Sequence, residues 1–460
     1  MGMDEHGQKV EQTAAGRGVS PRALVDEIAA SFQAMWARLA ISYDQFIRTT
    51  DPSHIAGVLA LLDRIFTRSP DDFYERSYEG WYCVGCEAFK TDAEIADGKC
   101  ILHPTRTLEW VTERNWFFRL SRYGDFLRAH IDAHPSFIFP DSRRNEILAL
   151  LERGLEDVSA SRARLSWGIP FPRPTSDGVE QTTYVWFDAL PNYLTASPER
   201  WPAQVHFVGK DITRFHCVIW PAMLQAAGLP LPERVWAHGF VTSGGDRLSK
   251  SAGVRIELTD AVERHGADAL RYFLMAEVPF SGDGEFSWER FDERYVADLA
   301  DAFGNLASRT ISMVERYCAG IVPAGGDPAI AALDTVNYED YAANMGGANG
   351  YLPHQALRAV WATVYRGNEY VNREAPWKLA KDPAQRAALE TVLATSITQL
   401  ARQALHLAPF MPDRAQALWH QLGAPGPVQA QSLAPDAPSP DPAGWRVAKG
   451  EPLFPKTLVP

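Results

Sequence analysis

The sequence predicts an α/β protein in which a parallel sheet carries a metal-binding insertion and is followed by an α-helical bundle. Three observations support this prediction. Short apolar segments rich in valine and aromatic residues flank a helical segment between positions 182 and 242. Three cysteines and one histidine cluster between positions 83 and 103. Apolar residues recur with helical spacing from position 260 to about position 422.

The composition limits the number of domains and the class of protein that the sequence can represent. A chain of 460 residues exceeds what one core usually supports, so we expect two to four domains. With 46% hydrophobic and 22% charged residues, the chain has the composition of a soluble globular protein. Its net charge of -12 argues against a protein that coats nucleic acid broadly, although it allows a local basic surface.

The sequence also predicts a compartment. The first residues lack the apolar core of a secretory signal, and no apolar run is long enough to span a bilayer. Three of the five cysteines fall in a metal pattern, which favours a reducing environment over a disulfide framework. We therefore expect a cytoplasmic protein without a membrane partner.

The N-terminal segments predict a strand end followed by helices. Residues 1–9 are typical of a strand that runs into a helix, with Asp4 as the N-cap. Apolar spacing predicts helices over 21–41 and 52–66. A further apolar and aromatic helix is predicted over 110–131.

Cys83, Cys86, Cys100 and His103 follow the spacing Cys-x2-Cys-x13-Cys-x2-His. Two ligand pairs joined by a loop can converge on one tetrahedral ion, and thiolate and imidazole ligands suit Zn2+. Four protein ligands leave no open position, so the predicted site is structural, with one zinc per chain. The competing interpretation is chance clustering of the cysteines.

The segments 182–190, 204–210 and 234–242 are predicted strands, and 215–228 is a predicted helix. Strand, helix, strand at this spacing favours a parallel α/β unit, in which ligands bind at the carboxyl ends of the strands. The polar and aromatic residues at those ends are Trp186, Asp188, Gly209, Asp211 and His238.

The loop Arg247-Leu248-Ser249-Lys250-Ser251 offers two cations and two hydroxyl groups. Such a loop can bind a polyphosphate and stabilise developing negative charge, although runs of this kind are commonly only solvated. The last segment, 423–444, is rich in proline and alanine and is predicted to be surface-bound or mobile.

Taken together, these blocks resemble the methionyl-tRNA synthetase family of class I aminoacyl-tRNA synthetases. The resemblance runs through nearly the whole chain. Besides the cysteine cluster, it rests on MDEHGQK, NEILALLERGLEDVSASR, WGIP, YVWFDALPNYL, FVGKDITRFH, HGFVTSGGDRLSKS, HGADALRYFL, NREAPWKLAKD and PLFPK. It implies a Rossmann-type catalytic sheet, incomplete at its N-terminus, with a zinc-knuckle insertion and a helical anticodon-binding bundle.

The resemblance also implies residue roles. Asp4 would receive the methionine ammonium, and Lys250 would contact pyrophosphate in the transition state. Arg247 stands where the family usually has lysine and keeps the charge, and Arg162 would orient the site. The implied methionine pocket comprises Trp186, Ala189, Leu190, Tyr193, Ile212 and His238, the implied ATP site comprises Gly209, Asp211 and Lys250, and Ser249 and Ser251 complete the catalytic loop.

The implied reaction is ATP-dependent activation of L-methionine to methionyl-adenylate and transfer to tRNA(Met), including the initiator tRNA. Mg2+ would accompany ATP as substrate. The bundle would read the CAU anticodon, with Arg366, Asn368 and Trp419 as candidates. No appended dimerisation domain is evident, so a monomer is expected.

The resemblance implies these domains: 1–67, first half of the catalytic domain; 68–162, the insertion; 163–240, second half of the catalytic domain; 241–300, the linking domain with the RLSKS signature; 301–425, the anticodon-binding bundle; 426–460, the C-terminal tail.

One family element is absent from the sequence. Class I synthetases carry a His-x-Gly-His element that contacts the ATP phosphates, and no such tetrapeptide occurs here. The family places it before Asp4. Either the start codon is mis-assigned or the chain is truncated, and we expect this polypeptide to activate methionine poorly. Two alternatives remain: an inactive relic that only binds tRNA, and a class I synthetase for cysteine or another aliphatic amino acid.

Overall fold

The structure is a computed structural model that describes residues 2–84, 88–163, 165–243, 246–247, 257–279, 282–348, 350–433 and 439–456. The chain divides into two compact units. The first comprises Met1–Ala37 and Ile41–His238, and the second comprises Arg38–Ala40 and Gly239–Pro460.

The first unit mixes strands and helices. Its strands are β1 (Gly2–Met3), β2 (Ile47–Arg48), β3 (Phe73–Cys83), β4 (Ala88–Lys90), β5 (Ile95–Ala96), β6 (Lys99–Cys100), β7 (His103–Thr107), β8 (Glu109–Phe118), β9 (Ile138–Phe139), β10 (Val158–Ser159), β11 (Ser161–Arg162), β12 (Thr182–Thr183), β13 (His206–Gly209) and β14 (Val235–His238). Its helices are α1 (Gln8–Arg17), α2 (Pro21–Arg38), α3 (Pro52–Arg68), α4 (Gly124–Ala133), α5 (Asp141–Glu152), α6 (Val185–Ala189), α7 (Asn192–Ala196) and α8 (Trp220–Ala227), the last extended at its start by a π-helical turn, Phe215–Ile219.

The predicted parallel α/β unit is confirmed. β13 and β14 pair in parallel, His206 opposite Val235, and α8 connects them. β9 adds a third parallel strand beside β14, and β1 pairs in parallel with β2. The helix α8 is buried around Trp220, which lies in the same hydrophobic core as Phe187. Trp236 in β14 is also fully buried. This core fixes where the carboxyl ends of the strands lie.

The predicted helix over 110–131 is wrong in its first half. Glu109–Phe118 is β8, which pairs antiparallel with β3 from Tyr82↔Glu109 to Phe73↔Phe118. The segment contains β-branched and aromatic residues, and its partner residues lie 27 to 45 positions earlier in the chain, so local apolar spacing could not reveal the pairing. The α-helix there is Gly124–Ala133, preceded by a 3-10 turn over Leu120–Tyr123.

The segment 182–190 is also not one strand. Only Thr182–Thr183 pairs in a ladder, and Val185–Ala189 forms the helix α6. Tyr184, Val185, Phe187, Asp188 and Leu190 are all buried. An apolar run that is buried on every side carries no period that separates strand from helix. The helix begins at Val185, one position before Trp186.

The second unit is helical apart from one small sheet. The sheet contains β15 (Val241–Ser243), β16 (Asp246–Arg247) and β17 (Gly284–Glu285). The helices are α9 (Leu258–His265), α10 (Ala267–Glu277), α11 (Trp288–Arg294), α12 (Asn305–Cys318), α13 (Pro328–Met345), α14 (Pro353–Glu374), α15 (Pro376–Leu379), α16 (Arg386–Leu407) and α17 (Pro412–Gln421), with π-helical Tyr295–Gly304 joining α11 to α12. The predicted bundle is confirmed.

The end of the described chain packs on this bundle. Phe454 is 5% exposed and contacts the rings of Tyr295 and Phe303. The Tyr295 hydroxyl donates to the Pro455 carbonyl at 2.9 Å, and Lys456 pairs with Asp301 at 2.5 Å. The PLFPK block is therefore a bound segment. Across the described residues, no helix is long and apolar enough to cross a membrane.

Candidate active site and metal centre

A polar loop follows β1 and is held in place by a buried glutamate. The Glu5 carboxylate is fully buried and accepts hydrogen bonds from Arg48 Nε at 2.7 Å and Thr50 Oγ1 at 2.5 Å. The Trp167 indole donates to the Glu5 carbonyl at 2.7 Å. The preceding residue, Asp4, is exposed. The loop is thus anchored from inside while the predicted ammonium ligand stays accessible.

The predicted N-cap role of Asp4 is wrong. Helix α1 begins at Gln8, its N-cap is Gly7, and no side chain caps it. Gly7 has φ 112° and ψ 166°, a conformation that side chains with a Cβ rarely adopt. The loop therefore needs glycine at position 7, and Asp4 does not cap the helix.

Two of the predicted methionine-pocket residues meet through a histidine that sequence reasoning missed. The Tyr193 hydroxyl lies 2.7 Å from His216 Nε2, and His216 Nδ1 lies 2.9 Å from the Ile212 carbonyl. A carbonyl only accepts, so Nδ1 carries the proton and Nε2 accepts from tyrosine. Trp186 stacks on Phe215 at 3.7 Å, and its ring lies 6.4 Å from His216.

Burial keeps this cluster uncharged. It lowers the pKa of His216 to about 4 and raises the pKa of Tyr193 to about 12. A second buried histidine, His206, lies 4.1 Å from the Tyr193 ring, and burial lowers its pKa to about 3. An apolar, aromatic and neutral wall of this kind suits an uncharged thioether side chain.

Because His206 and His216 are buried in neutral form, we expect the folded protein to lose stability in mild acid. An unfolded histidine binds a proton near pH 6.5, whereas His206 and His216 resist protonation when folded, so stability falls as the pH drops below about 6.5. We expect His206→Leu to flatten the dependence of the urea midpoint on pH between pH 7 and 5. Tryptophan fluorescence measures it. The exposed-site control, His134→Ala, should keep the wild-type slope, and equal slopes in both variants would contradict the prediction.

Of the remaining predicted pocket residues, the structure buries two and exposes the third. Ala189 and Leu190 are buried at the end of α6. His238 is instead exposed at the end of β14, directly opposite Gly209 in the ladder. A Cβ on Gly209 would lie 2.7 Å from Asp211 Oδ1, so a side chain at position 209 would push that carboxylate aside. His238, Gly209 and Asp211 thus form one polar strand edge, and the histidine beside Trp186 is His216.

Arg162 is buried and bonded to residues that directly precede it in the chain. One of its guanidinium nitrogens donates to the Ser161 carbonyl at 2.8 Å and to Ser159 Oγ at 2.9 Å. The guanidinium also lies 4.0 Å from the Tyr184 ring centroid. These contacts join β11 to the segment that leads into α6.

Only part of the signature loop is described. The backbone of Arg247 forms β16, which pairs with β15. Residues 248–251, which include the predicted Ser249, Lys250 and Ser251, lie outside the described residues. Their predicted roles stay predictions.

The described ligands of the predicted metal centre converge. The thiols of Cys83 and Cys100 are buried and not in disulfides, and with His103 their ligand atoms lie within 4.8 Å of one another. Cys83 Sγ and His103 Nδ1 are 3.8 Å apart. Tetrahedral Zn2+ with ordinary bond lengths places such a pair about 3.5 Å apart, so the donors fit zinc. Cys86 lies outside the described residues.

Family models match both units. A model described as tRNA synthetases class I (M) matches residues 1–107 and 93–311, and one described as anticodon binding domain of methionyl tRNA ligase matches 322–457. The chain belongs to the methionyl-tRNA synthetase family. It is therefore an aminoacyl-tRNA synthetase with the class I Rossmann-type fold, as the sequence blocks predicted.

Relatives of this methionyl-tRNA synthetase family member match almost its whole length. The methionine–tRNA ligase of Thermosynechococcus vestitus is 43% identical over 100% of this chain and 90% of the relative. That of Caldanaerobacter subterraneus is 41% identical over 100% and 72%. A crystal structure of Mycobacterium tuberculosis methionyl-tRNA synthetase bound by methionyl-adenylate has 37% identity and a TM-score of 0.90, covering 99% of this chain and 91% of that one.

The anticodon candidates of this synthetase are engaged within its bundle. Arg366 pairs with the buried Asp334, and Asn368 donates to the Ala302 carbonyl at 2.9 Å. Trp419 is 1% exposed, and its indole donates to the Pro425 carbonyl at 3.2 Å. A base cannot stack on a ring inside the core, so the structure contradicts Trp419 as a stacking residue.

A different tryptophan has the exposure that stacking requires. Trp377 lies in α15, within the NREAPWKLAKD block, and is 38% exposed. The sequence contained a signal for Trp377, because it lies in the family block NREAPWKLAKD. In this block α14 ends at Glu374 and α15 begins at Pro376. His54 and His216 were also missed as site residues, whereas Asp188 was predicted as a polar residue at a strand end. Spacing of four from Ile212 could have indicated His216, whereas nothing local indicated that His54 meets Asp188.

Proposed function

We propose that the chain binds L-methionine against Trp186, Tyr193 and His216 and activates it with ATP, accompanied by Mg2+. A methionine carboxylate oxygen attacks the α-phosphorus of ATP, and pyrophosphate leaves. The 3′-terminal ribose hydroxyl of tRNA(Met), initiator tRNA included, then attacks the acyl carbon, and AMP leaves. The nucleophile of the first step is already an anion, so positioning and electrostatic stabilisation suffice.

One observation carries this proposal: the neutral Tyr193–His216 pair beside the Trp186–Phe215 stack. In this arrangement Tyr193 donates to histidine and leaves an uncharged surface next to the indole. Asp4 would supply the carboxylate for the ammonium group, and Gly209, Asp211 and His238 form the edge proposed for ATP. Arg247 and Lys250 would stabilise the pyrophosphate.

The zinc centre, the domain boundaries and the assembly belong to the same proposal. Cys83, Cys86, Cys100 and His103 would hold one structural Zn2+, which would stiffen the insertion. The domains 1–67, 68–162, 163–240, 241–300, 301–425 and 426–460 remain as proposed from the sequence. We propose a cytoplasmic monomer.

We further propose that the 460-residue chain is impaired in activation because it contains no His-x-Gly-His element. Loss of pre-positioned donors to a transferring phosphoryl group costs about 10²–10³ in rate. Methionine-dependent ATP–pyrophosphate exchange tests both statements. We expect weak exchange with methionine and none with leucine or cysteine, and a large gain when a strand bearing the element is fused before Met1.

The outcomes separate the alternatives. Exchange by the unextended chain at the rate of an intact family member would contradict the impairment. Exchange with cysteine or leucine in place of methionine would contradict the substrate. Tight tRNA binding without exchange, even in the extended chain, would favour the inactive relic.

A further inference from the structure

A buried carboxylate joins two histidines beside the proposed methionine pocket. Asp188 is 1% exposed. Its Oδ2 lies 2.6 Å from His6 Nδ1, and its Oδ1 lies 2.9 Å from His54 Nε2. His6 and His54 are themselves buried, at 8% and 0% exposure. The network therefore excludes water and is completed by protein groups.

The donors and acceptors of this network determine which ring nitrogens of the two histidines carry protons. The carboxylate oxygens accept, so His6 Nδ1 and His54 Nε2 both donate to Asp188. His54 Nδ1 lies 2.7 Å from Thr195 Oγ1, whose hydroxyl can donate to it. Removal of the carboxylate would take the acceptor from the His6 N–H and leave the His54 N–H with only the Asp188 backbone carbonyl, 3.1 Å away. Such a loss is costly in a site that excludes water.

The network connects the two parts of the proposed methionine site. His6 is two residues after Asp4, in the loop that follows β1. Asp188 is two residues after Trp186, in α6, and His54 lies in the first turn of α3. A rotation of the loop against α6 would stretch the His6–Asp188 bond. The spacing between the Asp4 carboxylate and the Trp186 wall thus depends on Asp188.

We propose that Asp188 is a positioning residue for methionine binding, which sets the distance between the carboxylate that binds the ammonium group and the wall that binds the thioether. This inference rests on the proposed function. It differs from a general packing role in one respect: its effect requires the substrate ammonium group. A variant should lose affinity for methionine and keep its affinity for an analogue without the amine.

The experiment compares two ligands on the full chain. Binding of L-methionine and of 4-(methylthio)butanoate, which is methionine without its amine, is measured by calorimetry for wild type and Asp188→Asn. We expect about a tenfold weaker dissociation constant for methionine and an unchanged one for the analogue. Asp72→Asn is the matched control, because Asp72 is also buried in this unit and bonded to Arg122 and Tyr123.

His54 supplies a second test if Asp188→Asn folds poorly. His54→Gln retains an amide donor for Asp188 and should preserve the affinity ratio of the two ligands, whereas His54→Ala should reduce it. Equal losses for both ligands, or a changed ratio in Asp72→Asn, would overturn the positioning role while leaving the proposed function intact. Absence of methionine binding by the wild-type chain would overturn both.

Discussion

Replacement of Cys83 by serine is expected to remove the metal from the insertion and to unfold the strands around it. Cys83 ends β3, the strand that pairs along its length with β8, and its thiol is buried against His103. Structural zinc contributes about 10–16 kcal/mol to folding in small zinc domains. The zinc content measured by elemental analysis should fall from one ion per chain to none. The rate of backbone amide hydrogen exchange should increase in β3 and β8.

The matched control is Cys318→Ser, which changes a cysteine of the helical unit outside the ligand cluster. We expect it to retain one zinc and normal exchange in β3. Retention of stoichiometric zinc by Cys83→Ser would remove Cys83 from the ligand set. A wild-type chain that binds no zinc would contradict the metal centre as a whole.

Two tryptophans of the anticodon-type region should respond in opposite ways. Trp377→Ala removes an exposed indole, and loss of a stacking contact of about 1–3 kcal/mol should weaken tRNA(Met) binding roughly 10–100-fold without loss of stability. Trp419→Ala removes a core side chain packed on Trp445, which should lower the free energy of unfolding by about 3–5 kcal/mol. Filter binding and urea unfolding measure the two effects.

Trp377→Phe is the control, because phenylalanine keeps a stackable ring and should retain most of the affinity. Unchanged tRNA binding by Trp377→Ala would show that the anticodon contacts lie elsewhere. A specific loss of tRNA affinity in a stable Trp419→Phe variant would restore Trp419 as a recognition residue.

Local spacing predicted the features that depend on neighbours in the sequence. The cysteine and histidine spacing placed Cys83, Cys100 and His103 together, and the strand–helix–strand pattern gave β13, α8 and β14. The β8 strand was missed because its structure depends on pairing with β3, far from it in the chain. Similarly, four of the five residues of α6 are buried, so its burial pattern gives no helical period.

The site residues show the same difference between local motifs, which were predicted, and long-range contacts, which were not. Tyr193, Trp186 and Ile212 were predicted from motif resemblance, and the structure brings them to one histidine. That histidine is His216 rather than His238, because the two lie on different elements and only His216 follows Ile212 by one helical turn. The Asp188–His54 contact joins positions 134 residues apart, so no sequence window contains both.

The packed PLFPK segment has a consequence for synthesis. Phe454 covers Tyr295 and Phe303, and Lys456 binds Asp301. Ribosomes add about 5–20 residues per second, so roughly ten to thirty seconds separate the emergence of Phe303 from that of Phe454. Throughout that interval the nascent helical unit displays an uncovered aromatic surface. The packing of this surface is therefore completed only after Phe454 has been synthesised.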